Sequence, residues 1–123
     1  GIFDDPGFVS ELEQAAATVR KAMDQITALS SAPQSALGSN QLVRWVVTKE
    51  EHCSKVIRLV SEYALCQRVK PELFKDKGDY NDALRAHHAV MQCAMKAKQS
   101  ADAKVAAAAL EHAIKDLAKM YRK

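Results

Sequence analysis

The sequence predicts an all-α fold, an antiparallel helical bundle of about four main helices with one or two short extra helices. Apolar residues recur at helical spacing along most of the 123 residues. Only 4 Gly and 3 Pro are present, too few for a turn-rich sandwich or barrel. Hydrophobic residues at 48% and charged residues at 27% have the balance of a globular protein. This length suits one core, so residues 1–123 are predicted to form a single helical-bundle domain. The alternative is that this domain is a segment of a larger protein.

The first helix is predicted from about Ser10 to Leu29, where apolar residues follow at steps of three and four. Ser10 and Glu13 have the spacing of a capping box, in which each side chain satisfies a free backbone donor of the first turn. An earlier start at Pro6, capped by Asp5, is the alternative.

The second helix is predicted to be interrupted. Residues 30–40 have the Ser, Pro and Gly content of a loop. Residues 41–47, QLVRWVV, suit a strand by composition, but nothing else in the chain is typical of a strand. We therefore predict a helical turn capped by Asn40, and a fresh helix from Thr48, which opens a second capping box, to about Val69.

Pro71 is predicted to end that helix and to open one short turn through Phe74, because the residue before a proline disfavours helical backbone. A polar turn follows, in which Gly78 is free to take a positive φ. Asp79 is the predicted N-cap of the third helix.

The segment 96–104, KAKQSADAK, contains neither Gly nor Pro. We predict a helix break there with Ser100 as the new cap, because average helices are short. The alternative is one continuous helix from Asp79 to Tyr121, whose second half would be buried in a homo-oligomer.

The predicted core is one cluster of apolar residues on the inner helix stripes. Its members are Leu12, Val19, Ile26, Val56, Val60, Leu84, Met91, Leu110, Ile114 and Leu117.

The cysteines Cys53, Cys66 and Cys93 lie among apolar helical residues. An odd number cannot form a closed set of disulfides, so we predict buried free thiols. Free thiols indicate a reducing, intracellular compartment, most simply the cytoplasm. No uncharged stretch is apolar enough to span a membrane, so no membrane insertion is expected.

Motifs of catalysis and metal binding are missing from the sequence. The glycines do not form a phosphate-binding loop, and no nucleophile elbow is present. His52–Cys53 and His87–His88 are adjacent pairs, which point about 100° apart on a helix, and no ExxH or HxxxH spacing occurs. We therefore predict no enzyme, no metal and no cofactor. His87 is predicted to be partly buried with a hydrogen-bond partner.

Charge is divided unevenly along the chain. The net charge is +3, but residues 1–40 contain two basic and five acidic residues, whereas 41–78 and 79–123 each contain eight basic and five acidic. A basic second half suggests a nucleic-acid-binding accessory subunit as one hypothesis. Its candidate contacts are Lys96, Lys98, Lys104, Lys115, Lys119 and Arg122.

The leading hypothesis is a non-enzymatic protein–protein interaction module, either a scaffold or adaptor domain or a small subunit of an assembly. It would bind a helix or peptide of an unidentified partner in a groove between helices. The candidate contacts are Leu42, Trp45 and Val46, because this stretch has more apolar residues than one helix stripe needs. The alternative for Trp45 is a residue that closes one end of the core.

Overall fold

Four α-helices form the framework of the computed structural model, which describes residues 2–122. They are α1 (Pro6–Ser31), α2 (Ala36–Arg58), α3 (Lys77–Lys98) and α4 (Ala108–Ala118). A π-helical segment, Leu59–Leu65, continues α2, and another, Ala103–Ala107, leads into α4. A short 3₁₀ turn, Pro71–Leu73, lies between α2 and α3, as predicted. The described residues contain no strand.

Each helix packs against the next along the chain, and α4 packs back on α1. Two ion pairs define the register of α1 and the C-terminal end of the chain: Arg20 meets Glu111 at 2.6 Å, whereas Glu13 meets Arg122 at 2.5 Å. The later residue of α1, Arg20, faces the earlier partner, Glu111, so α1 and the C-terminal end of the chain run antiparallel. The predicted all-α antiparallel bundle is confirmed.

Helices α1 and α2 both begin earlier than the main prediction. Asp5 caps α1, its Oδ1 accepting from the Phe8 amide at 3.1 Å, so the alternative start at Pro6 is the observed one. Ser35 caps α2 through a 2.9 Å bond from the Gly38 amide. Because this cap precedes Asn40, the loop is confined to residues 32–35, and α2 continues through Thr48. The predicted long loop and fresh start at Thr48 are wrong.

The caps of α3 and of the last helical segment also differ by a few residues from the prediction. Asp76 caps α3 by accepting from the Gly78 amide at 2.8 Å, so Gly78 lies in the first turn and has no positive φ. The break after Lys98 is confirmed. Asp102, rather than Ser100, caps the π-helical segment that follows, accepting from the Lys104 amide at 3.0 Å.

The core lies between the four helices; eight of the ten predicted residues are buried, and seven of these belong to one cluster, with Ile26 outside it. Leu84 and Met91 are only partly buried. The buried side of α3 runs instead through Ala83, His87, Val90, Ala94 and Ala97. This stripe of small side chains lets neighbouring backbones approach closely, and it buries His87 completely.

Lys49 is a buried cation that marks where α3 ends. Its ammonium donates to the Lys98 and Ser100 carbonyl oxygens, both at 2.6 Å, and so satisfies carbonyls that a helix end leaves without partners. Residues 36–48 of α2 therefore extend beyond the end of α3, by about 20 Å at the rise of an α-helix. We call this part of α2 the projecting segment. Its exposed apolar residues are Leu37, Val43, Val46 and Val47.

The cysteines are not uniformly buried. Cys53 is inaccessible and Cys93 is partly buried, but Cys66 is exposed, so the prediction fails for this residue. The reason is the π-helical segment just before it, which rotates the chain away from the 3.6-residue period on which the prediction relied. None of the cysteines forms a disulfide. No helix among residues 2–122 combines the length and the hydropathy needed to cross a bilayer.

Shortening a core side chain should lower stability. Ile114 is 2% exposed, so Ile114→Ala is expected to reduce the free energy of unfolding by about 3 kcal/mol, through lost burial and a residual cavity. The measurement is urea unfolding followed by circular dichroism. Val105, 67% exposed, provides the control: Val105→Ala should change the value by less than about 0.5 kcal/mol. Equal effects of the two changes would contradict the assigned core.

Replacing the buried ammonium tests the link between α2 and α3. Lys49→Met removes two charge-assisted hydrogen bonds and leaves carbonyls without partners, so we expect a loss of about 2–3 kcal/mol in unfolding free energy. The control is Lys55→Met on the same helix, where an exposed 3.8 Å ion pair with Glu11 should contribute less than about 1 kcal/mol. A cost for Lys49→Met no larger than for Lys55→Met would refute the capping role.

Thiol labelling should separate two of the cysteines. Burial raises the pKa of Cys53 to about 11, so at neutral pH little of it is the reactive thiolate. Cys66 is exposed and should react first with a thiol reagent in the native protein, as peptide mass spectrometry would show. Modification of Cys53 at the rate of Cys66, without unfolding, is the contrary result.

Candidate functional site

The chain entering α1 is fixed against the end of α4. The Phe3 amide donates to the Met120 carbonyl at 2.7 Å, and the Asp5 amide donates to the Tyr121 carbonyl at 3.3 Å. The Phe3 ring is buried and stacks on the Tyr121 ring, with centroids 4.8 Å apart. Residues 2–5 are thereby held at the end of the bundle where α1 begins and the chain following α4 ends.

Asp5 joins three parts of the chain at this end. Its Oδ2 accepts a hydrogen bond from the Tyr63 hydroxyl and another from Arg68 Nη1, the latter at 2.9 Å. Arg68 Nη1 also donates to the Tyr63 hydroxyl oxygen at 2.9 Å. We call these three residues the Asp5 cluster. The hydrogen bond to the Asp5 carboxylate raises the pKa of Tyr63, because ionisation would remove the shared proton.

The π-helical segment explains why Tyr63 and Arg68 meet. They are five residues apart, a spacing that an α-helix does not place in register. Around the segment, amides bond five residues back: the Cys66 amide donates to the Ser61 carbonyl, and the Val69 amide to the Ala64 carbonyl. The wider turn brings residues five apart onto one side, and such turns are frequent at functional sites.

A buried phenol–imidazole pair lies beside this cluster. The Tyr121 hydroxyl is 2.6 Å from His87 Nε2, and His87 Nδ1 is 2.7 Å from the Ala83 carbonyl oxygen. Neither side chain is exposed. Burial raises the pKa of Tyr121 and lowers that of His87, because each charged form would lose its hydration. The pair therefore stays neutral at ordinary pH. His87 has the expected hydrogen-bond partner but is more deeply buried than predicted.

The residues predicted to bind a protein partner are all on α2. Leu42 and Trp45 are partly buried, and Val46 is 38% exposed. Lys21 Nζ lies 5.7 Å from the centroid of the Trp45 ring, a cation–π contact that covers part of it. Their role in binding stays a prediction.

The six basic residues predicted to contact nucleic acid do not form one uninterrupted cationic face. Lys98 donates to Ser54 Oγ at 3.0 Å, Lys119 lies 3.4 Å from Asp116, and Arg122 is paired with Glu13. The other three, Lys96, Lys104 and Lys115, are exposed.

Potential metal donors are dispersed through the part of the chain that the structure describes. Within residues 2–122, no three His, Cys, Asp or Glu side chains converge as a metal site would require. Both ring nitrogens of His87 are already hydrogen-bonded, and the raised pKa of Cys53 disfavours the thiolate that binds metals.

Sequence reasoning missed the Asp5 cluster. Its members are separated by 58 and 63 positions along the chain, so no local spacing reports their meeting. The available signals were the Asp5-Pro6 start of α1, noted as an alternative, and an apolar stripe that loses its register after Leu59.

Comparison with known proteins adds one finding. A family model described as nickel-containing superoxide dismutase matches residues 1–123. No curated protein and no solved structure matches the chain.

This match overturns the predicted function. Superoxide dismutases are oxidoreductases, so the predictions of no enzyme, of a scaffold or adaptor module, and of a nucleic-acid-binding accessory subunit are wrong. The physical reason is that those predictions rested on missing catalytic motifs, and a missing motif excludes only the chemistry that uses it.

The donor atoms described here do not fit a nickel site, because nickel in proteins takes several converging nitrogen, sulfur or oxygen donors. The residues that the structure describes therefore supply a framework and a hydrogen-bonded end of the bundle rather than a set of nickel ligands. Since the matching family model covers the sequence from its first residue to its last, the chain belongs to the nickel-containing superoxide dismutase family.

Proposed function

We propose that this chain acts in the disproportionation of superoxide, in which two superoxide anions and two protons give dioxygen and hydrogen peroxide. The observation that carries the proposal is the match of the nickel-containing superoxide dismutase family to residues 1–123. The net charge of +3 is consistent with an anionic substrate, because a positive protein field raises the rate of encounter with an anion.

Within this chain, the Asp5 cluster is where we propose that superoxide approaches. Arg68 is 35% exposed, so its guanidinium is a cation that an incoming anion can sense. A cavity of about 380 Å³ is lined by Asp5 and Tyr63 of the cluster together with Gly7, Phe8, Glu11 and Leu59, and Arg68 is not part of that lining. The Tyr63 hydroxyl has a carboxylate and a guanidinium as hydrogen-bond partners. Peroxide formation consumes protons, and this hydroxyl is a proton-bearing group of the cluster.

A reducing intracellular compartment, with the cytoplasm as the simplest case, remains our proposal for where the protein works. It is supported by Cys53, Cys66 and Cys93, which are all free thiols, one of them exposed.

Removal of superoxide tests the proposal directly. The full-length protein would be purified from cells supplied with nickel, its metal content measured by mass spectrometry, and superoxide decay followed after pulse radiolysis. We expect the protein to accelerate superoxide decay, and the acceleration to weaken as ionic strength rises. Protein that leaves superoxide decay unchanged, whatever its metal content, would refute the assignment.

A pair of arginine variants tests the location. Arg68→Met should lower the second-order rate constant roughly threefold by removing a cation at the proposed approach. Arg85→Met on α3 is the matched control, because Arg85 is 79% exposed and pairs only loosely with Asp82 at 3.4 Å. Equal rate constants for the two variants would show that superoxide does not approach at the Asp5 cluster. They would not contradict the proposed activity itself.

A further inference from the structure

The Tyr121–His87 pair has one defined protonation pattern. A carbonyl oxygen can only accept, so the 2.7 Å contact with the Ala83 carbonyl places a proton on His87 Nδ1. The neutral imidazole then has its lone pair on Nε2, where the Tyr121 hydroxyl donates at 2.6 Å. The phenol is thus hydrogen-bonded to a base, and the base is held in orientation by a second hydrogen bond.

This arrangement matters for one-electron chemistry. A phenol that loses an electron becomes a strong acid, and in a dry core its proton has nowhere to go unless a base is within hydrogen-bond distance. His87 Nε2 is such a base. Loss of the electron and transfer of the proton across one short hydrogen bond then avoid a buried phenol radical cation.

The surroundings suit a radical that must survive. Tyr121 is 0% exposed, and its ring is covered by Phe3 and Phe8, each with its centroid 4.8 Å away. Water and other chains are therefore excluded from the phenol. Phe8 also contacts the Tyr63 ring at 5.5 Å, so only one aromatic ring separates the buried phenol from a partly exposed one. The two centroid distances, 4.8 Å from Tyr121 to Phe8 and 5.5 Å from Phe8 to Tyr63, are short enough for an electron to reach the surface.

We propose that Tyr121 and His87 form a proton-coupled one-electron donor within this protein, a role that goes beyond superoxide disproportionation and does not depend on it. In the forward step, Tyr121 gives one electron to a strong one-electron oxidant of the kind that hydrogen peroxide forms with reduced metals. Its phenolic proton moves to His87 Nε2, leaving a neutral tyrosyl radical and an imidazolium. In the return step, a one-electron reductant such as a thiolate or superoxide restores the electron, and the proton moves back to the phenol oxygen.

Photochemical oxidation provides the test. The full-length protein would be mixed with a ruthenium tris-bipyridine complex and a sacrificial acceptor, and a light flash would generate the oxidant. Transient absorption gives the rate of phenol oxidation, and electron paramagnetic resonance of frozen samples identifies the radical. In the wild type we expect a long-lived tyrosyl radical that Tyr121→Phe eliminates. Tyr80→Phe, at a half-buried tyrosine packed against Phe74, is the matched control and should leave the signal intact.

His87→Gln tests the base. We expect phenol oxidation to slow by roughly 100-fold, the scale of a lost general base, in a variant whose circular dichroism matches the wild type. An unchanged rate, or a radical that persists in Tyr121→Phe, would overturn the proposal.

If the His87 variant does not fold, the wild type still decides. Protein labelled with ¹⁵N-histidine should show nitrogen coupling to the radical by electron–nuclear double resonance, and the oxidation rate should fall in heavy water. A radical without histidine coupling and without an isotope effect contradicts the inference.

Discussion

One carboxylate connects three separate parts of this bundle. Asp5 caps α1 through its Oδ1 and binds Tyr63 and Arg68 through its Oδ2, while its amide donates to the Tyr121 carbonyl. The start of α1, the π-helical segment after α2 and the chain end after α4 therefore meet at a single residue. The Phe3 and Phe8 rings pack on Tyr121 beside this junction, and the Tyr121–His87 pair is fully buried next to them.

The fold class could be predicted because it depends on periodicity repeated over many residues. Element boundaries were harder, since they depend on single caps. Ser35 and Asp76 each accept from the amide of a glycine two or three residues later, and both start a helix earlier than the predicted Thr48 or Asp79. The π-helical segment was not predictable from a 3.6-residue pattern, and it changed the exposure of Cys66. The partly buried Leu84 and Met91 show the same limit for α3.

The candidate site and the function class depended on information that local spacing does not carry. Asp5 and Tyr63 are brought together by tertiary packing, and their residue types are common on ordinary helix surfaces. The family was identified by similarity along the whole chain, although the residues described here do not converge on a metal site. Sequence motifs alone therefore predicted the correct framework and the wrong class of protein. The apolar residues around Trp45 remain a predicted contact surface.

The projecting segment of α2 differs from the rest of that helix in its burial. On one side of Lys49, four helices surround a common core; on the other, residues 36–48 lie beyond the end of α3 and none of them is buried. A helical segment without buried residues gains little stability from apolar burial. The projecting segment can therefore open and close locally while the core remains folded. Motion at one end of this molecule is thereby separated from the rigid junction at Asp5.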